Sequence, residues 1–75
     1  MKRIIRVQDE LQEGATYIFH FWEQGGEFTK ERVSKNMKLI KKYENFALFA
    51  HPSGIQETFD YWTIRKMMNG ETITR

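Results

Sequence analysis

A run of basic residues is the part of this sequence closest to a recognisable chemistry. The run spans residues 30–42 and consists of Lys30, Arg32, Lys35, Lys38, Lys41 and Lys42, with Glu31 as its one acid, so it carries a net charge of +5. The whole chain carries +2. Closely spaced cations attract the phosphates of a nucleic-acid backbone, and each contact releases counterions. We therefore expect these six bases to contact nucleic acid, with Tyr43 adding a stacking surface at the end of the run.

The geometry of this surface depends on whether the run is a strand or a helix. As a strand over residues 37–43, with Ile40 as a bulge, it would direct Lys38 and Lys42 outward on one face, and Lys35 and Lys41 would border them. As a helix capped by Thr29, it would place Val33, Met37 and Ile40 on a face opposite the lysines. The strand is favoured, because residues 46–50 resemble its hairpin partner. Lysines on a solvent-facing strand also prevent edge-to-edge aggregation, which needs no ligand.

Acidic residues dominate the preceding segment and suggest a different partner. Residues 7–28 hold five acids and no base: Asp9, Glu10, Glu13, Glu23 and Glu27. Tryptophan is enriched at the energetic centres of protein interfaces. A protein-binding adaptor or inhibitor that uses Trp22 with Asp9, Glu10 and Glu13 is the alternative function. A homodimer that hides surplus aromatic side chains is a third.

Catalysis and metal binding find little support in the residue types. The chain has no cysteine and only two histidines: His20 has no serine, cysteine or second histidine close by in sequence, and His51 lies in a turn. No cluster of histidines and acids has metal-ligand spacing. We expect a protein that is not an enzyme and uses no metal, cofactor or small-molecule substrate. The absence of cysteine, of a signal-peptide pattern and of a long apolar run favours a cytoplasmic protein without a membrane segment.

The remaining elements can be placed from local patterns. We expect strands over residues 4–7, 15–22, 46–50 and 55–59, with tight turns at residues 24–26, 44–45 and 51–54. Alternation places Tyr17, Phe19 and Phe21 on one face of the second of these strands. Its other face, with Ile18, His20 and Trp22, should be at least half covered. Asp60 should cap a final helix that ends at Gly70, followed by a mobile tail or a short strand.

These elements predict a single small domain over residues 1–75. Its class is mainly β, a small partly open SH3-like barrel of four or five short strands with a short C-terminal helix. If residues 29–42 were helical, the fold would instead be α+β, a three-stranded sheet with two helices. Aromatic residues make up 15% of the chain, and most of them, Trp62 included, are expected to fill the core.

One resemblance extends over about half of the chain. Residues 37–49 (MKLIKKYENFALF), then residues 54–59 (GIQETF) and Tyr61-Trp62, resemble a pattern in small uncharacterised proteins encoded by phages and integrative elements of Gram-positive bacteria. The resemblance implies two hairpins leading into a short helix and an origin in a mobile element. It implies no activity and no functional residues.

Overall fold

Five strands and two short helices make up the fold. The computed structural model describes residues 7–27 and 29–74. In chain order the elements are α1 (Val7–Glu10), β1 (Thr16–Gln24), β2 (Lys30–Lys42), β3 (Phe46–Ala50), β4 (Gln56–Asp60), α2 (Tyr61–Met68) and β5 (Thr72–Thr74). The predicted strand over residues 4–7 lies outside the described residues except for Val7, which begins α1 rather than ending a strand.

The strands form one sheet in the order β4-β3-β2-β1-β5. The first four strands follow each other as antiparallel hairpins, whereas β5 returns to the far edge and pairs with β1 in parallel. The sheet curls into a half-barrel, and the predicted mainly β fold with a short C-terminal helix is confirmed. The α+β alternative is wrong, because the basic run is the strand β2 and not a helix.

The register explains why β2 is a strand. Tyr17, Phe19 and Phe21 of β1 lie opposite Met37, Lys35 and Val33 of β2. Met37 and Leu39 are then both buried, two positions apart on the same face. A helix would turn these two side chains about 200° away from each other and expose one of them. Burial against a neighbouring strand therefore overrides the helical spacing of Val33, Met37 and Ile40.

One face of the sheet, the core face, packs under the helices. Its buried residues from the strands are Phe19, Phe21, Met37, Leu39, Ala47, Phe49 and Phe59. The helical side contributes Val7, Leu11, Ile64 and Met67, and all of these residues form one cluster. Because α2 connects β4 at one edge with β5 at the other, it crosses this face and closes the cluster. The opposite side of the sheet, the outer face, has no helix over it among the described residues.

One aromatic expectation is corrected by this arrangement. Trp62 is not in the core but 70% exposed, because Ile64 and Met67 occupy the inner side of α2. The second face of β1 is more than half covered at His20 and Trp22, which is 38% exposed, whereas Ile18 is 63% exposed. The excess of aromatic residues is therefore divided between the core and the surface.

Asp60 caps α2 as predicted, and this cap makes the fold sensitive to acid. Its carboxylate accepts a hydrogen bond from the backbone amide of Thr63 at 2.7 Å. Hydrogen bonds from the Thr63 backbone amide, and next from the Thr63 hydroxyl, lower the pKa of Asp60 below its ordinary value. A carboxylate with a lowered folded-state pKa contributes stability above its unfolded pKa and loses it as the pH falls through the folded value.

We expect Asp60→Asn to weaken this acid dependence. Asparagine caps helices about as well as aspartate, so stability at neutral pH should change little. Below about pH 4 the wild-type protein should lose stability more steeply than the variant. Urea unfolding of both proteins between neutral and acid pH measures this. Parallel pH profiles would contradict the assignment.

Candidate nucleic-acid interface

The two faces of the sheet differ in charge. Along the strands, the outer-face bases are Lys30, Arg32, Lys38 and Lys41. Three strand acids lie on the other side of the sheet. Glu23 and Glu31 lie opposite each other, and Glu57 lies opposite Phe49. Asp60 is the one strand acid on the outer face, and its carboxylate already caps α2. Strand alternation thus gives the helix-free face four strand bases and one acid, whereas the other side has the bases Lys35 and Lys42 with three acids.

A bulge in β2 decides which lysines reach this face. The register between β2 and β3 shifts between Leu39 and Lys41, so Lys41 lies opposite Leu48 and Lys42 lies opposite Ala47. Because Ala47 is buried in the core, Lys42 belongs to the core side, whereas Lys38 and Lys41 share the outer face. The predicted bulge is present. Its effect is to exchange the positions expected for Lys41 and Lys42.

Lys42 is a structural residue. Its ammonium donates to the backbone carbonyls of Gln8 and Leu11, both at 2.9 Å, and its backbone amide donates to the Glu13 carboxylate at 2.8 Å. The bonds from the ammonium satisfy one carbonyl within α1 and one just after it, which the short helix cannot pair by itself. Lys42 therefore fastens α1 to the sheet, and its charge is directed away from the outer face.

Lys35 is also held away from the outer face. It lies opposite Phe19, and its ammonium forms an ion pair with Glu23 at 2.7 Å. Of the six bases in the predicted set, four are brought together on the outer face and two are not. Among the described residues, neither Lys38 nor Lys41 forms an ion pair with a carboxylate.

Aromatic rings adjoin the bases where β2 turns into β3. Tyr43 and Phe46 stack with ring centroids 4.8 Å apart and an interplanar angle of 25°, and they are 41% and 40% exposed. The Lys41 ammonium lies 5.3 Å from the centroid of the Tyr43 ring. The sequence pattern indicates Tyr43 as a stacking residue but indicates Phe46 only as part of an apolar strand. The place of Phe46 beside the turn, one residue before the buried Ala47, is the signal that could have identified it.

A second aromatic site lies at the other end of the outer face. Trp22 pairs with Arg32 across β1 and β2, and with Thr74 across β1 and β5. The Arg32 Nε donates to the Thr72 hydroxyl at 2.8 Å. Next along the same face, the His20 Nδ1 and the Ser34 hydroxyl are hydrogen-bonded at 2.8 Å. This end of the face therefore carries polar contacts around an exposed indole ring.

The residues predicted to form a protein-binding surface are not gathered. Trp22 is on the outer face, whereas Asp9 and Glu10 are exposed on α1, which packs on the core side. Glu13 is engaged with the backbone of Lys42. On the helical side, Trp62 instead borders an open groove of about 280 Å³ between α1 and α2, together with Val7, Gln8, Tyr61 and Arg65.

The histidines have structural surroundings. The His51 Nε2 and the Glu57 carboxylate are 2.8 Å apart, and this contact joins the two sides of the β3–β4 hairpin next to its turn. No group of three or more histidines and acids that could hold a metal ion occurs within residues 7–27 and 29–74.

The helices of the described chain are short. Neither α1 nor α2 is long and apolar enough to cross a membrane.

The chain was compared with protein-family models, with curated proteins and with solved structures. No protein-family model, curated protein or solved structure matches it. The resemblance to proteins of phages and integrative elements stays a prediction.

Proposed function

We propose that this protein is a small non-catalytic binding module that contacts nucleic acid through the outer face of its sheet. The observation that carries the proposal is the difference in charge between the two faces of the sheet. Four strand bases share the outer face, and the one strand acid there is occupied as a helix cap. A surface of one sign steers an anionic partner even when the net charge of the molecule is small.

The type of contact follows from the side chains available. Lys38 and Lys41 are exposed and supply compact ammonium charges that suit phosphate oxygens. Arg32 supplies a planar guanidinium, and one of its nitrogens is already oriented by Thr72. Backbone contacts of this kind position a nucleic acid without reading its sequence. We therefore expect affinity that depends strongly on salt and weakly on sequence.

The test compares two double variants that change the net charge equally. Lys38→Glu/Lys41→Glu reverses two charges on the outer face, and Arg65→Glu/Lys66→Glu reverses two on α2, on the opposite side. Labelled single- and double-stranded DNA and RNA are titrated at low and moderate salt. At low salt, the affinity of the outer-face variant should be at least about tenfold lower than that of the wild type. The slope of log affinity against log salt concentration should be smaller by the amount expected for about two phosphate contacts. The α2 variant should bind nearly as the wild type does.

Two results would count against the proposal. One is the absence of binding by the wild-type protein at low salt. The other is an equal loss in both variants, which would mean that net charge matters and the outer face does not. Circular dichroism spectra of the three proteins control for unfolding.

A further inference from the structure

The stacked rings at the β2–β3 turn, Tyr43 and Phe46, form what we call the turn platform. Four-tenths of each side chain is exposed, so the pair presents aromatic surface to solvent on the same side as Lys38 and Lys41. Aromatic rings of this kind stack with unpaired bases, because every base has a π face. A neighbouring ammonium adds attraction for the adjoining phosphate.

The backbone of the turn platform is held by hydrogen bonds, while its rings contact each other and the Lys41 ammonium lies over Tyr43. The Tyr43 amide donates to the Phe46 carbonyl at 2.8 Å, and the Tyr61 hydroxyl donates to the Tyr43 carbonyl. Partial burial raises the pKa of Tyr61 above its ordinary value, which favours the protonated hydroxyl that donates this bond. Because the backbone is fixed from two sides, the rings are preorganised for an external contact, and ordering them on binding costs little entropy.

Trp22 is the counterpart of the turn platform at the other end of the outer face. It lies directly opposite Arg32, eleven residues before Tyr43 along β2. At about 3.3 Å per residue, this separates the two aromatic sites by roughly 35 Å. That distance fits within the longest dimension of the molecule, 50 Å. Lys38 and Lys41 lie between the two sites on the same face.

We infer that the ligand is single-stranded nucleic acid that lies along β2, with bases stacked on the turn platform at one end and on Trp22 at the other. This inference rests on the proposed function. The bases of a duplex are stacked on one another and offer these rings no face, whereas a single strand exposes its bases to both sites. The separation of the sites requires a strand of several nucleotides to reach both, within the range of site sizes known for sheet-based modules.

The experiment uses the two tryptophans as reporters. Trp62→Phe leaves Trp22 as the one tryptophan, and Trp22→Phe leaves Trp62, on the opposite side, as the matched control. Each protein is titrated at low salt with oligothymidylates of about 4 and about 12 nucleotides and with a duplex of about 12 base pairs. Emission from Trp22 should be quenched by the longer single strand, and emission from Trp62 should not change.

Ring removal measures the contribution of each end. Tyr43→Ala and Trp22→Ala should each weaken binding of the longer oligothymidylate by at least about fivefold, and duplex binding should change less than twofold. Binding of the oligothymidylate of about 4 nucleotides should be weakened only partly by the loss of either ring. This shorter oligonucleotide should also bind more weakly than the longer one. Both rings are exposed, so the variants should fold, and circular dichroism checks this.

The inference and the proposed function fail in different ways. One result is binding that depends on salt but stays the same after ring removal and for both oligonucleotide lengths, and another is a preference for the duplex. Either result would overturn the single-strand inference and leave the charge-based proposal standing. Quenching of Trp62 in place of Trp22 would move the ligand to the helical side and overturn both. Absence of binding at low salt would also overturn both.

Discussion

Replacement of Phe49 by alanine is expected to lower the free energy of unfolding by about 3–5 kcal/mol. The Phe49 side chain is fully buried and lies edge-on to Phe19 and Phe59, with centroid distances of 5.4 and 6.0 Å. Alanine would remove its apolar surface from the core and leave a cavity between β1, β3 and β4. A domain of this size has a total stability of roughly 4–11 kcal/mol, so the variant should lose a large fraction of it and unfold at a much lower urea concentration than the wild type.

Phe46→Ala is the matched control, since it makes the same deletion on the outer face of the same strand. It should cost about 1 kcal/mol or less, because its ring is partly in solvent already. Urea unfolding followed by circular dichroism measures both variants. Equal losses would show that the ring cluster under the helices is not the centre of stability.

The second large effect is expected at Lys42. Lys42→Met keeps the length of the side chain but removes the ammonium that donates to the Gln8 and Leu11 carbonyls. Partly buried carbonyls left without a donor cost about 1–3 kcal/mol, so we expect a loss of about 2 kcal/mol and a looser α1. Hydrogen exchange of the amides around α1 and urea unfolding measure the two consequences.

Lys41→Met tests the neighbouring residue on the other face. It should change stability by no more than about 0.5 kcal/mol and should weaken nucleic-acid binding instead. If the two methionine variants were equally stable, the assignment of Lys42 as the fastener of α1 would be wrong.

Local patterns predicted most of the elements. Alternation placed Tyr17, Phe19 and Phe21 on the core face, and a carboxylate before a helical spacing identified Asp60 as a cap. Gly70 has the left-handed conformation expected after α2, with a φ of 88°. Each of these features depends on a few neighbouring residues, which is why a single sequence reveals them.

Features that depend on register could not be obtained in the same way. The contact between Lys35 and Glu23 requires knowing which residues of β1 and β2 are opposite each other. The sequence pattern predicts that Lys42 lies beside Lys38. This prediction is wrong because the side to which a bulge turns the next residue depends on packing against β3. Trp62 was expected inside because it is large. It lies outside because Ile64 and Met67 occupy the inner side of α2.

The extra residue at Ile40 decides which of the two consecutive lysines of β2 lies on the core side. Regular pairing with Ile40 opposite Leu48 would turn Lys41 toward α1 and Lys42 toward the outer face, whereas deletion of Ile40 would leave Lys41 opposite Leu48 and Lys42 opposite Ala47. Among relatives of this protein, a version of β2 that lacks the residue at position 40 should therefore still hold the second lysine of the pair against α1. The pairing with β3, more than the number of residues in between, is the constraint that natural variation at this position has to respect.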